Sequence, residues 1–372
     1  MTNQRNVFRV LLSAIVVVTA CAKKEAPPVV ARVGSLTITA DEFRRRFETT
    51  PRLQQFKDIE QAKALFLNSL IAEKLLALEA TQKHLPESPR LQAFFEQIHR
   101  EATVEALFDK KMATPNRDKH VRLDREIAGA EFMKYFKTMM VGKKTEVPPA
   151  GFKFLTERLE EIFHIGEDTT VMVRKLNPSP LNAAEFSQAD QSLAASLDET
   201  LVSFDDGSHW TIKEILQRLS VGMYHLDFSN RKKFRLSLRE ALITMIEQEY
   251  VYKNAVQEGL DKSSEVAAEV AMWRENALAQ LLVQRLASAE NEADIRTPTG
   301  EQTELIAKTL LALAETQHIE INPEILHRTP VSNASLLLLK MHFPGRMVTP
   351  LSLPLEHLTV WQEKVAAKTK HE

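Results

Sequence analysis

The sequence predicts a mainly α-helical protein with a few short strands. Glycine is sparse, with 10 in 372 residues, whereas the helix-forming residues Lys, Glu, Leu and Ala are abundant. Apolar residues also recur at helical spacing over two long segments of the chain. These two segments align with each other, so the sequence further predicts two related helical modules.

The first module begins with two short strands and a tight turn over 29–38. Thr39 and Glu42 are spaced as a capping box for the helix that follows. A long helix is predicted over 58–84, because apolar side chains there repeat on one face. Another amphipathic helix is predicted over 89–112.

The second module repeats this order from residue 201 onward: strand, Gly-Ser turn, and a helix with Thr211 and Glu214 spaced as a capping box. A long helix follows, and the segment 67–91 aligns without gaps to 242–266. Apolar positions meet apolar positions in this alignment, and both segments end in Leu followed three residues later by Ser. An internal repeat is therefore predicted.

The rest of the chain gives weaker signals. Helices are predicted over 129–140, 152–163 and 300–316, and a loop is predicted over 141–151 because of its Gly, Lys and Pro content.

The N-terminus has the order of a secretory signal peptide. A basic start is followed by an apolar run over 10–20 and by small residues directly before the single cysteine. The run is shorter than the roughly 20 residues that span a bilayer. The four residues 18–21, which end at this cysteine, resemble the bacterial lipobox, with Cys21 as the lipidation site. The alternative is a buried N-terminal helix in which the cysteine is an ordinary small residue. The lipobox residues are Val18, Thr19, Ala20 and Cys21.

Composition excludes several classes of protein. With one cysteine the chain forms no internal disulfide, and lipidation of Cys21 leaves no free thiol in an oxidising compartment. Loss of 1–20 removes two arginines and takes the formal net charge from −2 to −4, so no nucleic-acid partner is expected. The sequence holds no dinucleotide, phosphate-loop, zinc-protease or serine-hydrolase motif, so no catalytic residue, metal or cofactor is predicted.

Two stretches carry a family resemblance: "VVARVGSLTITADEF" and "LFLNSLIAEKLLALEATQKHL". Over about 29–110 they resemble the N-terminal module of the SurA/PrsA family of extracytoplasmic folding factors, whose long helix has the pattern L-x-x-L-I-x-x-x-L-L-x-x-E-A. The resemblance implies a multi-lobed helical chaperone architecture. The matching residues are Leu67, Leu70, Ile71, Leu75, Leu76, Glu79 and Ala80.

The chain departs from this family in its middle segment. Many members carry a parvulin-type prolyl isomerase domain with a His-Ile-Leu strand and a Gly-rich turn, and neither motif is present. The predicted division is a signal peptide (1–20), a tether (21–29), a first helical module (30–115), a middle segment that is a diverged or lost isomerase region (116–200), a second helical module (201–295) and a C-terminal helix and strand segment (296–372).

The resemblance implies an ATP-independent holdase that binds unfolded secreted or outer-membrane proteins. Its anchor would be the lipid on Cys21, at the periplasmic face of the outer membrane in a Gram-negative host because Ala22 follows the cysteine. Two alternatives remain: a prolyl isomerase with a diverged middle domain, and an accessory lipoprotein with one fixed partner in an envelope export or assembly machine.

Clusters of Phe, Met and Tyr are the candidate client contacts, because such side chains form adaptable apolar surfaces. Burial in a core is the alternative for all of them. The candidates are Phe94, Phe95, Phe132, Met133, Tyr135, Phe136, Met139 and Met140.

Overall fold

A computed structural model describes residues 27–50, 58–111, 133–165, 191–222, 224–286 and 300–331, together with Pro350 and Trp361. These residues are mostly helical, with short antiparallel strands in two small sheets, which confirms the mainly α fold class. The predicted signal peptide, the lipobox with Cys21, and Phe132 lie outside the described residues.

The first half of the chain contains eight elements in the order β-β-α-α-α-α-β-α. They are β1 (Val29–Val33), β2 (Leu36–Thr39), α1 (Ala40–Glu48), α2 (Ile59–Gln82), α3 (Pro89–Lys111), α4 (133–140), β3 (Thr145–Glu146) and α5 (Pro149–Ile162). The two-residue strand β3 lies where the sequence predicts only a loop.

The second half repeats the same order after a short helix, α6 (Gln191–Ala195). A 3-10 turn (Leu260–Lys262) joins its two longest helices. The elements are β4 (Thr200–Phe204), β5 (His209–Thr211), α7 (Ile212–Val221), α8 (Arg231–Gln257), α9 (Ser264–Leu286), α10 (Gly300–Thr316), β6 (Ile319–Ile321) and α11 (Pro323–Arg328). The predicted repeat thus extends over nearly all of the described chain.

Each sheet takes its third strand from the other half of the chain. β1 lies between β2 and β6, and β4 lies between β5 and β3, all antiparallel. The register is the same in both sheets, because the glutamate of the added strand stands opposite the penultimate residue of the central strand. The paired residues are Glu320 with Arg32 and Glu146 with Ser203.

The long helices are exchanged in the same way. α2 packs against α9, and α3 packs against α8, while α3 and α9 also pack against each other. Since α2 corresponds to α8 and α3 to α9, these contacts are reciprocal, as in a two-fold arrangement. The two halves are therefore interlocked rather than folded side by side.

Helix caps repeat between the halves with one difference. The Thr39 and Thr211 hydroxyls accept the amides of Glu42 and Glu214 at 3.1 and 3.3 Å. Glu214 completes a capping box, as predicted. The prediction is wrong for Glu42, because its side chain accepts a hydrogen bond from Lys74 at 2.9 Å instead.

The ends of α2 and α8 also match residue by residue. His84 and Gly259 occupy equivalent positions and both have left-handed backbones, with φ of 48° and 73°. The next helix is capped in each case by a serine, since Ser88 and Ser263 each accept the amide three residues on at 3.2 Å. Equivalent turns therefore end and restart the helices in both halves.

Two main cores hold the molecule together. The first lies under the β1 sheet and includes α1, α2, the end of α9 and α10, so segments from both termini of the described chain share it. The second lies under the β4 sheet, between α5, α7 and α8. A smaller cluster joins α3 and α4 to α8. Large members of the first core are Phe43, Phe66, Leu70, Leu75, Ile306 and Leu310.

A pair of buried ion pairs joins the exchanged helices. Lys74 on α2 pairs with Glu275 on α9, and Glu249 on α8 pairs with Arg100 on α3. By the repeat alignment Lys74 corresponds to Glu249, and Arg100 corresponds to Glu275. The two sites are therefore equivalent in position but have exchanged signs of charge.

Candidate functional site

An open cleft of about 740 Å³ lies between α3 and α7, where the two halves of the chain meet. Side chains from the first turns of α3 form one wall, and the outer face of α7 forms the other. Tyr252 from α8 and Arg274 from α9 complete it. This cleft, which we name the α3–α7 cleft, falls within the size range of about 300–1,000 Å³ that is usual for ligand sites.

Arginine side chains stack on aromatic rings along the cleft. The Arg100 guanidinium lies 3.8 Å from the centre of the Tyr252 ring, and that of Arg274 lies 5.1 Å from the Phe95 ring. Such contacts hold the flat guanidinium in place and leave its edges available for hydrogen bonds. The walls therefore combine apolar area with fixed hydrogen-bond donors.

Arg218 on α7 is a largely buried charge of the cleft, with 20% of its side chain exposed. Its guanidinium lies over the Trp210 ring, and it pairs with the carboxylate of Glu249 at 3.4 Å. Glu249 is also the ion-pair partner of Arg100. Burial, together with the positive charge of Arg100, lowers the pKa of Arg218 below its ordinary value.

Two of the three glutamates that line the described cleft have partners of their own. Glu87 binds Arg274 with 3.0 Å between the two charged groups, and Glu214 accepts the Thr211 amide in the capping box at 2.7 Å. Glu96 is exposed on α3, where solvent screens its charge. A smaller cavity of about 20 Å³, room for about one water, adjoins the cleft beside Arg218.

The structure separates the candidate client contacts into two groups. Phe95 lines the α3–α7 cleft and is buried against it, while Phe94 packs edge-on against Trp273 at 5.5 Å. Both lie on α3, so adjacent phenylalanines have different surroundings. Their role as client contacts stays a prediction.

The other group lies on α4, away from the cleft. Phe136 is buried in the small cluster with α3 and α8, and Tyr135 accepts a hydrogen bond from Asn254 at 3.0 Å. Met139 and Met140 pack at the margin of this cluster, whereas Met133 is 40% exposed. Core packing therefore explains four of these five side chains, and Met133 is the one that is exposed to solvent.

The described walls of the α3–α7 cleft contain no serine, threonine, cysteine or lysine, but they do contain glutamate, histidine and tyrosine side chains, which can also act as nucleophiles. In the described parts of the chain, no three acidic, histidine or cysteine side chains come together as a metal site. None of the helices described is both long and apolar enough to cross a bilayer.

The charged residues of the cleft were not among the candidates drawn from the sequence. Arg100, Arg218 and Tyr252 are ordinary members of amphipathic helices when they are seen one at a time. A signal was nevertheless present, because the repeat aligns Arg218 with Arg46 but places Gln248 where the first half has Glu73. Alignment of the two halves shows an arginine that is present in both and a carboxylate partner that is present only in the first.

Comparison with known protein families, characterised proteins and solved structures finds no match to the chain. The likeness of 29–110 to the SurA/PrsA module and the predicted division into segments therefore stay predictions. The structural observation that bears on that division is that β6, from 296–372, completes the sheet of 30–115.

Proposed function

We propose that the protein is a lipid-anchored, ATP-independent holdase of the bacterial envelope, which binds segments of unfolded secreted or outer-membrane proteins. The observation that carries this proposal is the α3–α7 cleft, which is open, about 740 Å³ in volume, and lined by aromatic and charged side chains together. An unfolded polypeptide offers the same mixture of apolar and polar groups. A site of this kind binds and releases many segments without chemistry.

The interlocked helices support the same proposal. The cleft wall on α7 is fixed by the second core, and α3 is fixed by the smaller cluster that it shares with α4 and α8. Rigid walls lower the ordering cost of binding, because only the client segment loses conformational freedom.

The first test is suppression of aggregation. Chain lacking only residues 1–21, which retains all described residues, is mixed at equimolar or lower ratio with an unfolded outer-membrane protein, and light scattering is followed. Slower aggregation is expected. A proline-limited refolding reaction is followed with the same sample. Faster refolding would replace the holdase by a prolyl isomerase, and no effect in either reaction would favour an accessory protein with one fixed partner.

A cleft-filling variant tests whether the α3–α7 cleft is the site. Ala93 lines the cleft on α3, so Ala93→Trp fills part of its volume and is expected to weaken the suppression of aggregation. Ala64→Trp is the matched control, because Ala64 is exposed on α2 outside the cleft. Equal suppression by both variants would place client binding elsewhere.

A further inference from the structure

The α3–α7 cleft has a counterpart in the first half of the chain. Arg46 and Arg218 are equivalent, because each lies seven residues after the threonine that caps its helix. Arg46 is fully buried, and Glu73 accepts hydrogen bonds from both of its terminal nitrogens at 2.6 and 2.7 Å. Burial alone would lower the pKa of Arg46, but the carboxylates of Glu73, Glu42 and Glu275 together outweigh it and the pKa is raised.

Arg218 has lost this dedicated carboxylate. The position equivalent to Glu73 holds Gln248, a neutral amide whose oxygen accepts the Tyr224 hydroxyl at 2.9 Å. The cations Arg218 and Arg100 therefore both pair with the carboxylate of Glu249. The contrast between a raised pKa at Arg46 and a lowered pKa at Arg218 follows from this difference.

The ion pair that closes the site around Arg46 and Glu73 is also missing at the α3–α7 cleft. Arg45 on α1 donates to Glu269 on α9 at 2.7 Å and ties the two helices together. The equivalent residues are Gln217 on α7 and Phe94 on α3, which cannot form an ion pair. The cleft is thus the open counterpart of a site that the first half fills with its own carboxylates.

We propose that the α3–α7 cleft binds a carboxylate of an acidic polypeptide segment, held by Arg218 and Arg100 in the way that Glu73 is held by Arg46. Phe95 and Tyr252 provide the apolar wall for the neighbouring side chain of the segment. This inference rests on the proposed function and names the chemistry of its client. The carboxylate belongs either to an Asp or Glu side chain or to the C-terminus of the client.

The test uses the same chain lacking residues 1–21 and a short fluorescent peptide of Gly, Ser, Leu and Phe with two central Glu. Fluorescence anisotropy measures the affinity of the protein for this peptide and for two comparison peptides. The first comparison peptide has Gln in place of Glu, and the second has a free rather than an amidated C-terminus. The Glu peptide is expected to bind about tenfold or more tightly than the Gln peptide, and less tightly at high salt. A gain from the free C-terminus alone would assign the site to chain ends.

Gln248→Glu is the decisive variant, since it gives Arg218 the carboxylate that Arg46 has. It is expected to lose the preference for the Glu peptide while its thermal stability is equal or higher. Gln257→Glu is the matched control, because it makes the same change at an exposed position of the same helix. Arg218→Gln is expected to show the same loss of preference, with circular dichroism to verify its fold.

Equal affinity for the Glu and Gln peptides, or an unchanged preference in Gln248→Glu, would overturn the carboxylate site. If aggregation is still suppressed in that case, only this inference fails and the holdase stands. If the Glu peptide binds but aggregation is not suppressed, the carboxylate site stands and the holdase fails.

Discussion

At the scale of single residues, Lys74 is the buried cation that joins the two halves. It donates to Glu42 at 2.9 Å and pairs with Glu275, and 2% of its side chain is exposed. Burial would lower the pKa of Lys74, but its two carboxylate partners outweigh this effect and raise it. Burial raises the pKa of Glu275 despite the lysine, because two further carboxylates lie nearby.

Lys74→Met is expected to destabilise the protein by about 3–5 kcal/mol, because it leaves buried carboxylates without their cation. Urea unfolding followed by circular dichroism measures the loss. Lys308→Met is the control, since Lys308 forms an exposed pair with Glu304 and should cost less than about 1 kcal/mol. Equal effects of the two substitutions would mean that the buried pair contributes nothing specific.

The loss of stability in the Lys74→Met variant is expected to depend on pH. Without Lys74 the folded-state pKa of Glu275, already raised by burial, rises further above its unfolded value. A carboxyl group whose pKa is raised on folding favours the folded state when it is protonated. Its contribution to the free energy of unfolding is therefore present at low pH and is lost as pH rises through the folded-state pKa. The deficit of Lys74→Met relative to wild type should therefore shrink as pH falls from 7 to about 5. A constant deficit would contradict this assignment.

Residue-scale prediction from sequence succeeds where the interaction is local. The capping box of α7 is determined within three residues, and it forms as predicted. Glu42 fails because its partner Lys74 lies 32 residues away and outcompetes the local amide. Arg218 was missed for the same reason, since its surroundings come from α3 and α8.

At the scale of elements, the ends of α2 and α8 offer an internal comparison. His84 and Gly259 have the same left-handed backbone, which glycine adopts freely and other residues adopt at a cost of about 1 kcal/mol or more. The space around a side chain at Gly259 is open, so backbone strain alone decides the effect there.

His84→Gly is expected to raise the free energy of unfolding by up to about 1 kcal/mol, and Gly259→Ala is expected to lower it by about 1 kcal/mol. Urea unfolding of both variants gives the two values in one experiment. A loss of stability in His84→Gly would show that contacts of the imidazole outweigh the backbone strain.

Element boundaries were predictable from periodicity, but the exchange of elements was not. The helix over 300–316 begins and ends as predicted, and α2 differs by two residues or fewer at each end. The strands β3 and β6 were missed as partners because each is two or three residues long. Their pairing with β4 and β1 depends on packing across the whole chain, which local patterns do not encode.

At the scale of the whole molecule, the first sheet depends on a strand from near the end of the described chain. β6 contacts β1 through the amide of Asn322, which donates to Val30 at 2.8 Å, and the carbonyl of His318, which accepts from Gly34 at 2.8 Å. Glu320 lies between these two bonds. Contacts this distant in sequence form late and slow folding.

Glu320→Pro is expected to destabilise the protein by about 1–3 kcal/mol, because proline lacks the amide needed for pairing with β1. It should also slow refolding, and the exposed edge of β1 should promote aggregation. Stopped-flow refolding and light scattering measure both effects. Glu320→Thr removes the same carboxylate but keeps the amide, so it should resemble wild type; a similar defect there would assign the effect to the side chain.

The exchanged charges of the two buried ion pairs determine which halves are complementary. If a first half paired with another first half, Lys74 would face Arg100, and two second halves would bring Glu249 against Glu275. Like charges in so buried a position oppose association. The chain therefore discriminates against pairing between identical halves, and only a first half that meets a second half satisfies both ion pairs.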